Sequence, residues 1–306
     1  MMDLNALISI LVSDVLPVFL IAGVGFLLER RFSGSVKVLS SVSFNALSPC
    51  LSFTQLVTSS MSGADAGRMA AFCFLLTCIM GLVARAAAVP LHLEQKTRTS
   101  FVLSVMFSNS GNYALPVVLF AFGQAGLAYA SVYFVTSAVV VYTLGVFIAA
   151  NTGRGFGSAL ARVLKVPSLY SLTAALIIVA THAKVPLAIM RPVGMLGDAA
   201  IPVMILVLGM QLKRATFPKR PVAVLVAVGL SLLLAPLVGT GLASLLGLTG
   251  IARSAAIVVS AMPAAVVTTV LALEFDLDST FVTSVVFVST LLSPFSLVLL
   301  IAYLKG

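Results

Sequence analysis

Long apolar stretches alternate with short polar ones along the whole 306-residue chain. The apolar runs are about 20 residues long, the length an α-helix needs to cross roughly 30 Å of hydrocarbon. Read between charged or Gly/Pro-rich breaks, they predict ten spans: 6–28, 38–58, 69–90, 100–122, 128–150, 167–183, 188–211, 221–246, 253–274 and 280–303. An outer-membrane barrel would show short alternating strands instead. The expected fold is therefore an all-α integral membrane protein of ten transmembrane helices.

Two spans are interrupted. SNSGNYALPV, Ser108 to Val117, places Asn109, Gly111, Asn112 and Pro116 at the midpoint of span four. Pro116 lacks the N–H that would bond the Asn112 carbonyl, and its ring crowds that carbonyl. Gly111 is expected to supply backbone angles closed to other residues. Hydrocarbon penalises unpaired backbone groups heavily, so such a break survives only beside protein or a water-filled cavity. Span nine carries a counterpart in SAMPAA, Ser260 to Ala265, with Pro263 inside an apolar run.

Further correspondences link the two halves. Asn45 and Pro49 of NALSP answer Asp198 and Pro202 of DAAIP at an offset of 153, and Pro17 answers Pro167 at an offset of 150. Five spans on each side of a central loop enter the membrane in opposite senses. The prediction is two inverted five-helix repeats, 1–150 and 167–306, joined by a linker at 151–166, with spans four and nine as broken, crossing helices.

Half-helices of opposite sense, starting near Tyr113 and Ala264, would aim electropositive N-termini at a common point. Asn109 and Asn112 share a helical face, and Ser108, Ser110, Thr268 and Thr269 add hydroxyls. The expected substrate-binding set is Asn109, Gly111, Asn112, Pro116, Ser260, Pro263, Thr268 and Asn45. The plainer alternative is that the asparagines bridge neighbouring helices. Span two carries a polar stripe, Ser41, Asn45, Ser48, Ser52 and Gln55, and span ten a lesser one, Thr283, Thr290 and Ser293, preceded by Ser279. Such stripes either pack helices or line a wet path. Asp14 and Asp198 are the acids deep in predicted spans, and intramembrane carboxylates are candidates for ion coupling; a static ion pair, such as Asp198 with Arg191, is the alternative.

Composition narrows the function. Hydrophobic residues make up 60% of the chain and charged ones 9%, with a net charge of +9. The basic residues lie in short loops and do not form the clustered patch a nucleic acid requires. They report topology: twelve of 18 lie in the loops after odd-numbered spans, five lie on the opposite side, and Arg85 snorkels from span three. The bias predicts a multi-pass cell-membrane protein with both termini outside and the loop NTGRGFGSALARVLK in the cytoplasm. The N-terminal segment has no basic leader or cleavage site, so the first helix is expected to be retained. Cys50, Cys73 and Cys78 fall within spans and read as small apolar residues. No GxxxxGK[ST], HExxH or GxSxG occurs, and His92 and His182 lie in loops, so neither an ATP-driven pump nor an enzyme is expected.

The segments FSNSGNYALPVVLFAFG (Phe107–Gly123), MLGDAAIPVMILVLGMQL (Met195–Leu212) and AMPAAVVTTVLALEFDLD (Ala261–Asp278) resemble the auxin efflux carrier family. The resemblance implies a fold similar to bile-acid sodium symporters. Spans three to five and eight to ten would form a transport core, and spans one, two, six and seven a scaffold that dimerises. It also implies elevator-like transport, with Asn112, Pro116 and Pro263 at the crossover and Asn109 beside it. The short central loop is similar to that of bacterial members, and span three lacks the acid found in plant members. The expected function is secondary transport of a small organic anion such as a carboxylate across the lipid bilayer. No cofactor is expected, and Na+ or H+ coupling is left open. An uncoupled uniporter or channel for a neutral or anionic solute is the alternative.

Overall fold

Three prolines shape the membrane helices. A proline ring crowds the carbonyl four residues before it, and the turn preceding Pro17, Pro49 and Pro236 is widened to a π turn in each case. Nearby side chains turn onto carbonyls of the same helix. Ser48 Oγ donates to the Ser43 carbonyl at 2.7 Å, and Asn45 Nδ2 to the Ser41 carbonyl at 2.9 Å. Side chains and π adjustments of this kind are what make proline tolerable in a membrane helix.

The computed structural model describes residues 4–32, 34, 36–59, 61–150, 166–213 and 220–305. Residues 151–165 of the predicted linker lie outside the described residues. Helix α1 runs Leu4–Ile10, through a π turn at Leu11–Val15, to Leu16–Arg31. Helix α2 is Val36–Val42, a π turn at Ser43–Leu47, and Ser48–Thr58; α3 is Gly63–Ala87 and α4 is Gln95–Met106. Helix α5 is Ala114–Val140, continued through a π turn at Val141–Gly145 to Val146–Ala150. Then follow α6 (Pro167–Thr181), α7 (Leu187–Leu212) and α8 (Pro221–Gly229, π turn Leu230–Leu234, Ala235–Leu245). The last are α9 (Gly250–Ser260), α10 (Val267–Glu274) and α11 (Ser279–Lys305).

Among the described residues, six helical stretches are long and apolar enough to cross a membrane: Leu7–Arg31, Gly63–Ala87, Ala114–Ala150, Leu187–Leu212, Pro221–Leu245 and Ser279–Lys305. The protein is an all-helical, multi-pass membrane protein. Between 122 and 128, where spans four and five were expected to part, α5 is two helical stretches that meet at Gly123, whose backbone is non-helical (φ 65°, ψ −162°). A left-handed φ is open to glycine at no steric cost, so the bend falls on this residue.

The helices pack in two sets. In the first, α1 lies along α7, and α2 packs on α6 and α7. Glycine makes the α1–α7 approach possible. A Cβ on Gly209 would sit 1.7 Å from the Ala22 carbonyl oxygen, and one on Gly25 would sit 2.1 Å from that of Leu206. Small residues that bring backbones together are the usual means of helix association where lipid removes the hydrophobic drive. In the second are α3, α4, α5, α8, α9 and α11, with α10 on α11, and the two meet where α5 packs on α2 and α6 and where α11 packs on α1.

Candidate functional site

The chain is non-helical from 107 to 113 and again from 261 to 266. These two interruptions meet. Ser108 and Ala264 form an isolated antiparallel bridge, in which the Asn109 N–H donates to the Pro263 carbonyl at 2.7 Å and the Ala265 N–H to the Phe107 carbonyl at 2.9 Å. Helix α11 completes the pairing from the side. The Ala264 N–H donates to Ser289 Oγ at 3.2 Å, and the Tyr113 hydroxyl donates to Ser293 Oγ at 2.8 Å, Ser293 in turn donating to the Thr290 carbonyl. The buried stripe of α11 thus packs on the interruptions, while its Thr283 lines the cavity described below.

Pro116 is the third residue of α5, where a missing N–H is harmless, and its ring prevents the helix from extending back through Asn112. Two sequence expectations are corrected here. Gly111 has no positive φ; its role is clearance, since a Cβ would lie 2.8 Å from Cε2 of Phe134. The first-turn N–H groups of α5 are not all open to a ligand either. Ala114, Leu115 and Val117 donate to the carbonyls of Asn109, Gly111 and Tyr113.

Beside the paired interruptions lies a cavity of about 720 Å³. Asn45, Asn109, Gly111 and Asn112 line it together with Ser108, Ser110 and Thr269. Asn109 is 6% exposed, and its Nδ2 is enclosed, with no hydrogen-bond partner among the described residues. Asn112 Nδ2 reaches Gln211 Oε1 of α7 at 3.5 Å, at the long limit for a hydrogen bond. Apolar and aromatic side chains, including Phe44, Phe134, Tyr142 and Phe287, form much of the remaining wall. Lys37 is the one charged residue among the described residues lining the cavity, and no carboxylate faces it. The cavity extends from the interruptions to the ends of α2, α7 and α10 marked by Lys37, Leu212 and Leu273.

The other candidate residues sit apart from this wall. Pro263 contributes its carbonyl to the bridge, Thr268 is fully buried and donates to the Ala265 carbonyl, and Ser260 donates to the Ile257 carbonyl at 2.6 Å. Neither acid expected to couple an ion lines the cavity. Asp198 is exposed on α7 with no salt bridge to Arg191, because its helix turns Gly197 and Ala200 inward instead. Asp14 is buried at the π turn of α1, where Lys305 Nζ lies 2.6 Å from Oδ2 and Ser13 Oγ donates to Oδ1 at 2.9 Å.

Sequence reasoning overlooked Gln211 and Gln124. Both are polar residues at helix ends or bends, where they are indistinguishable from headgroup-facing side chains. Gln124 follows the Gly123 kink and accepts a hydrogen bond from Gln55 Nε2 at 2.9 Å. Ser289 was overlooked as well, although its spacing of four from Ser293 places it on the same face of α11.

A family described as membrane transport protein matches residues 10–158 and 154–301, almost the entire chain. The chain belongs to this family, the auxin efflux carriers. It is 29% identical over 297 residues to an uncharacterized transporter of Methanothermobacter thermautotrophicus, covering 96% of this chain and 94% of that protein. It is also 25% identical over 205 residues to an uncharacterized transporter of Methanocaldococcus jannaschii, covering 66% of this chain and 67% of the other.

Proposed function

We propose that this auxin efflux carrier family member is a secondary carrier that moves a small organic anion across the cell membrane. The observation that carries the reading is the cavity at the paired interruptions, walled in part by Asn45, Asn109, Asn112 and Lys37, with no acid among the described residues that line it. The lysine and the amides of the wall are donors suited to a carboxylate, and the absence of lining carboxylates avoids like-charge repulsion.

In this reading the chain has ten spans in two inverted repeats, and the paired interruptions belong to crossing helices four and nine. The set α1, α2, α6 and α7 acts as the scaffold and dimerises, and the second set is the moving core. Both termini lie outside, so the cavity opens toward the cytoplasm. The opposite end is held shut by Gln55–Gln124 and Asp14–Lys305, each of which joins a scaffold helix to a core helix. Elevator-like motion of the core must break both contacts.

The test is uptake of labelled mono- and dicarboxylates by the purified protein in liposomes, under imposed sodium or proton gradients. Saturable uptake with counterflow supports a carrier. Currents far above carrier turnover, or no uptake of any anion with uptake of neutral amides, would remove this reading.

A further inference from the structure

Asn112 touches the opposite helix set. Its Nδ2 lies 3.5 Å from Oε1 of Gln211, and both side chains line the large cavity. The two residues stand on separately braced bodies. Asn112 belongs to the first interruption, where the next residue, Tyr113, donates its hydroxyl to Ser293 of α11. Gln211 is the penultimate residue of α7. Two residues before it, a Cβ on Gly209 would stand 1.7 Å from the Ala22 carbonyl oxygen, and Met210 is buried in a cluster with Val36 and Val207. The backbone under Gln211 is therefore pinned against α1 and α2, and what can yield is its own side chain.

Its place on α7 fixes what the contact reports. The helix has 26 residues, and Asn112 meets it at the last turn, away from its middle. A shift of the second helix set along α7 by one helical turn, about 5.4 Å, carries Asn112 out of reach of a side chain pinned at that end. The contact belongs to one position of the core.

It is also easily lost. Both groups are neutral, and 3.5 Å is the long limit of a hydrogen bond. Hydrogen bonds to an ionised acceptor are shorter and roughly twice as strong. The tip of a glutamine is planar and carries an acceptor oxygen, so it resembles a carboxylate in shape while lacking its charge. Beside Asn112 it fills the place that the carboxylate of a cargo would take.

We propose that Gln211 is a stand-in for the cargo: its carboxamide holds the Asn112 amide, ties the core to the scaffold, and is displaced when a carboxylate arrives. The inference rests on the organic-anion reading above. Gln211 is a positioning residue that acts through Asn112. Cargo binding releases the tie, whereas a core without cargo keeps it, so exchange of one anion for another outruns net movement. The same competition lowers the affinity for cargo.

The test is equilibrium binding of labelled acetate, benzoate and succinate to the purified full chain. Gln211→Ala removes the competitor. The probe that the parent binds best should bind about 2–10-fold more tightly, the factor that one neutral hydrogen bond is worth. Gln211→Asn, one methylene too short to reach, should do the same and guards against a misfolded alanine variant. Unchanged binding by both variants overturns the proposal, and so does weaker binding, which would make Gln211 an ordinary cargo ligand. Binding is read without transport, so this result is separate from the choice between carrier and channel. A parent that binds none of the three probes removes the anion reading and the proposal together. In liposomes, uptake by Gln211→Ala into vesicles without internal anion should rise relative to exchange by a similar factor, and an unchanged ratio likewise overturns the proposal.

Discussion

Asn109 gives its backbone N–H to the carbonyl of Pro263 at 2.7 Å, so the chain's two membrane interruptions satisfy each other. This resolves what neither segment manages alone. Each break strands peptide groups where lipid offers no hydrogen bond, and each proline makes the break permanent by blocking helix on one side. Pairing uses four of the stranded backbone groups, those of Asn109, Pro263, Ala265 and Phe107, and leaves Asn109 in the cavity wall.

That division of labour predicts that the amide serves binding and not folding. Asn109→Ala and Asn112→Ala should each abolish anion uptake in liposomes. Their melting temperatures should stay within a few degrees of the parent, since Asn109 Nδ2 has no hydrogen-bond partner among the described residues and Asn112 has one at 3.5 Å. Normal uptake by both variants would remove the asparagines from the substrate path.

Gly111 tests the wall itself. A methyl at this position meets the Phe134 ring at 2.8 Å and 3.2 Å, and overpacking of this kind costs about 1–3 kcal/mol. Gly111→Ala should lower the Tm and weaken uptake, because Phe134 is part of the cavity lining. Adding Phe134→Leu should restore both. Failure of the second substitution to recover stability would show that the glycine acts through its backbone after all.

Much of this arrangement is legible in the sequence, for a physical reason. Apolar length predicts membrane helices directly, and Asn, Gly and Pro amid lipid-grade residues are too costly to be neutral, so Asn45, Asn109, Gly111 and Asn112 stand out and do line one cavity. What a residue does after folding is less visible. Gly111 and Gly209 look alike in the sequence, yet one clears an aromatic ring and the other a backbone carbonyl. Asp198 looks buried because its neighbours are apolar, but in a membrane protein apolar neighbours also face lipid, and the residue is exposed. The partners Ser289 and Gln211 come from distant helices, and no local pattern announces them.

Ser289 is the clearest such partner. Its hydroxyl accepts the Ala264 N–H at a fully buried position, and stranding a buried donor costs about 1–3 kcal/mol. Ser289→Ala should lower the Tm of the purified protein, whereas Ser289→Thr should keep the acceptor and most of the stability. An alanine variant as stable as the parent would mean that the second interruption does not depend on α11.

The ion pair between Asp14 and Lys305 joins the first helix to the last, and it is asymmetric: the Asp14 side chain is 4% exposed and that of Lys305 is 37% exposed. Removing the lysine leaves a buried carboxylate without its countercharge, whereas removing the acid leaves a lysine that can swing to solvent. Lys305→Met should therefore lower stability more than Asp14→Asn. The loss should be about 1–3 kcal/mol, below the 3–5 typical of a fully buried pair because solvent already screens Lys305. The double variant should recover most of the loss, since it strands neither charge. Thermal unfolding of the three variants measures this coupling, and additive losses in the double variant would show that the two residues act independently. Transport by the same variants addresses the proposed motion. If the pair must open for the core to move past the scaffold, Asp14→Asn removes a contact present only on one side of the cycle. Its uptake should then change in maximal rate more than in half-saturating substrate concentration.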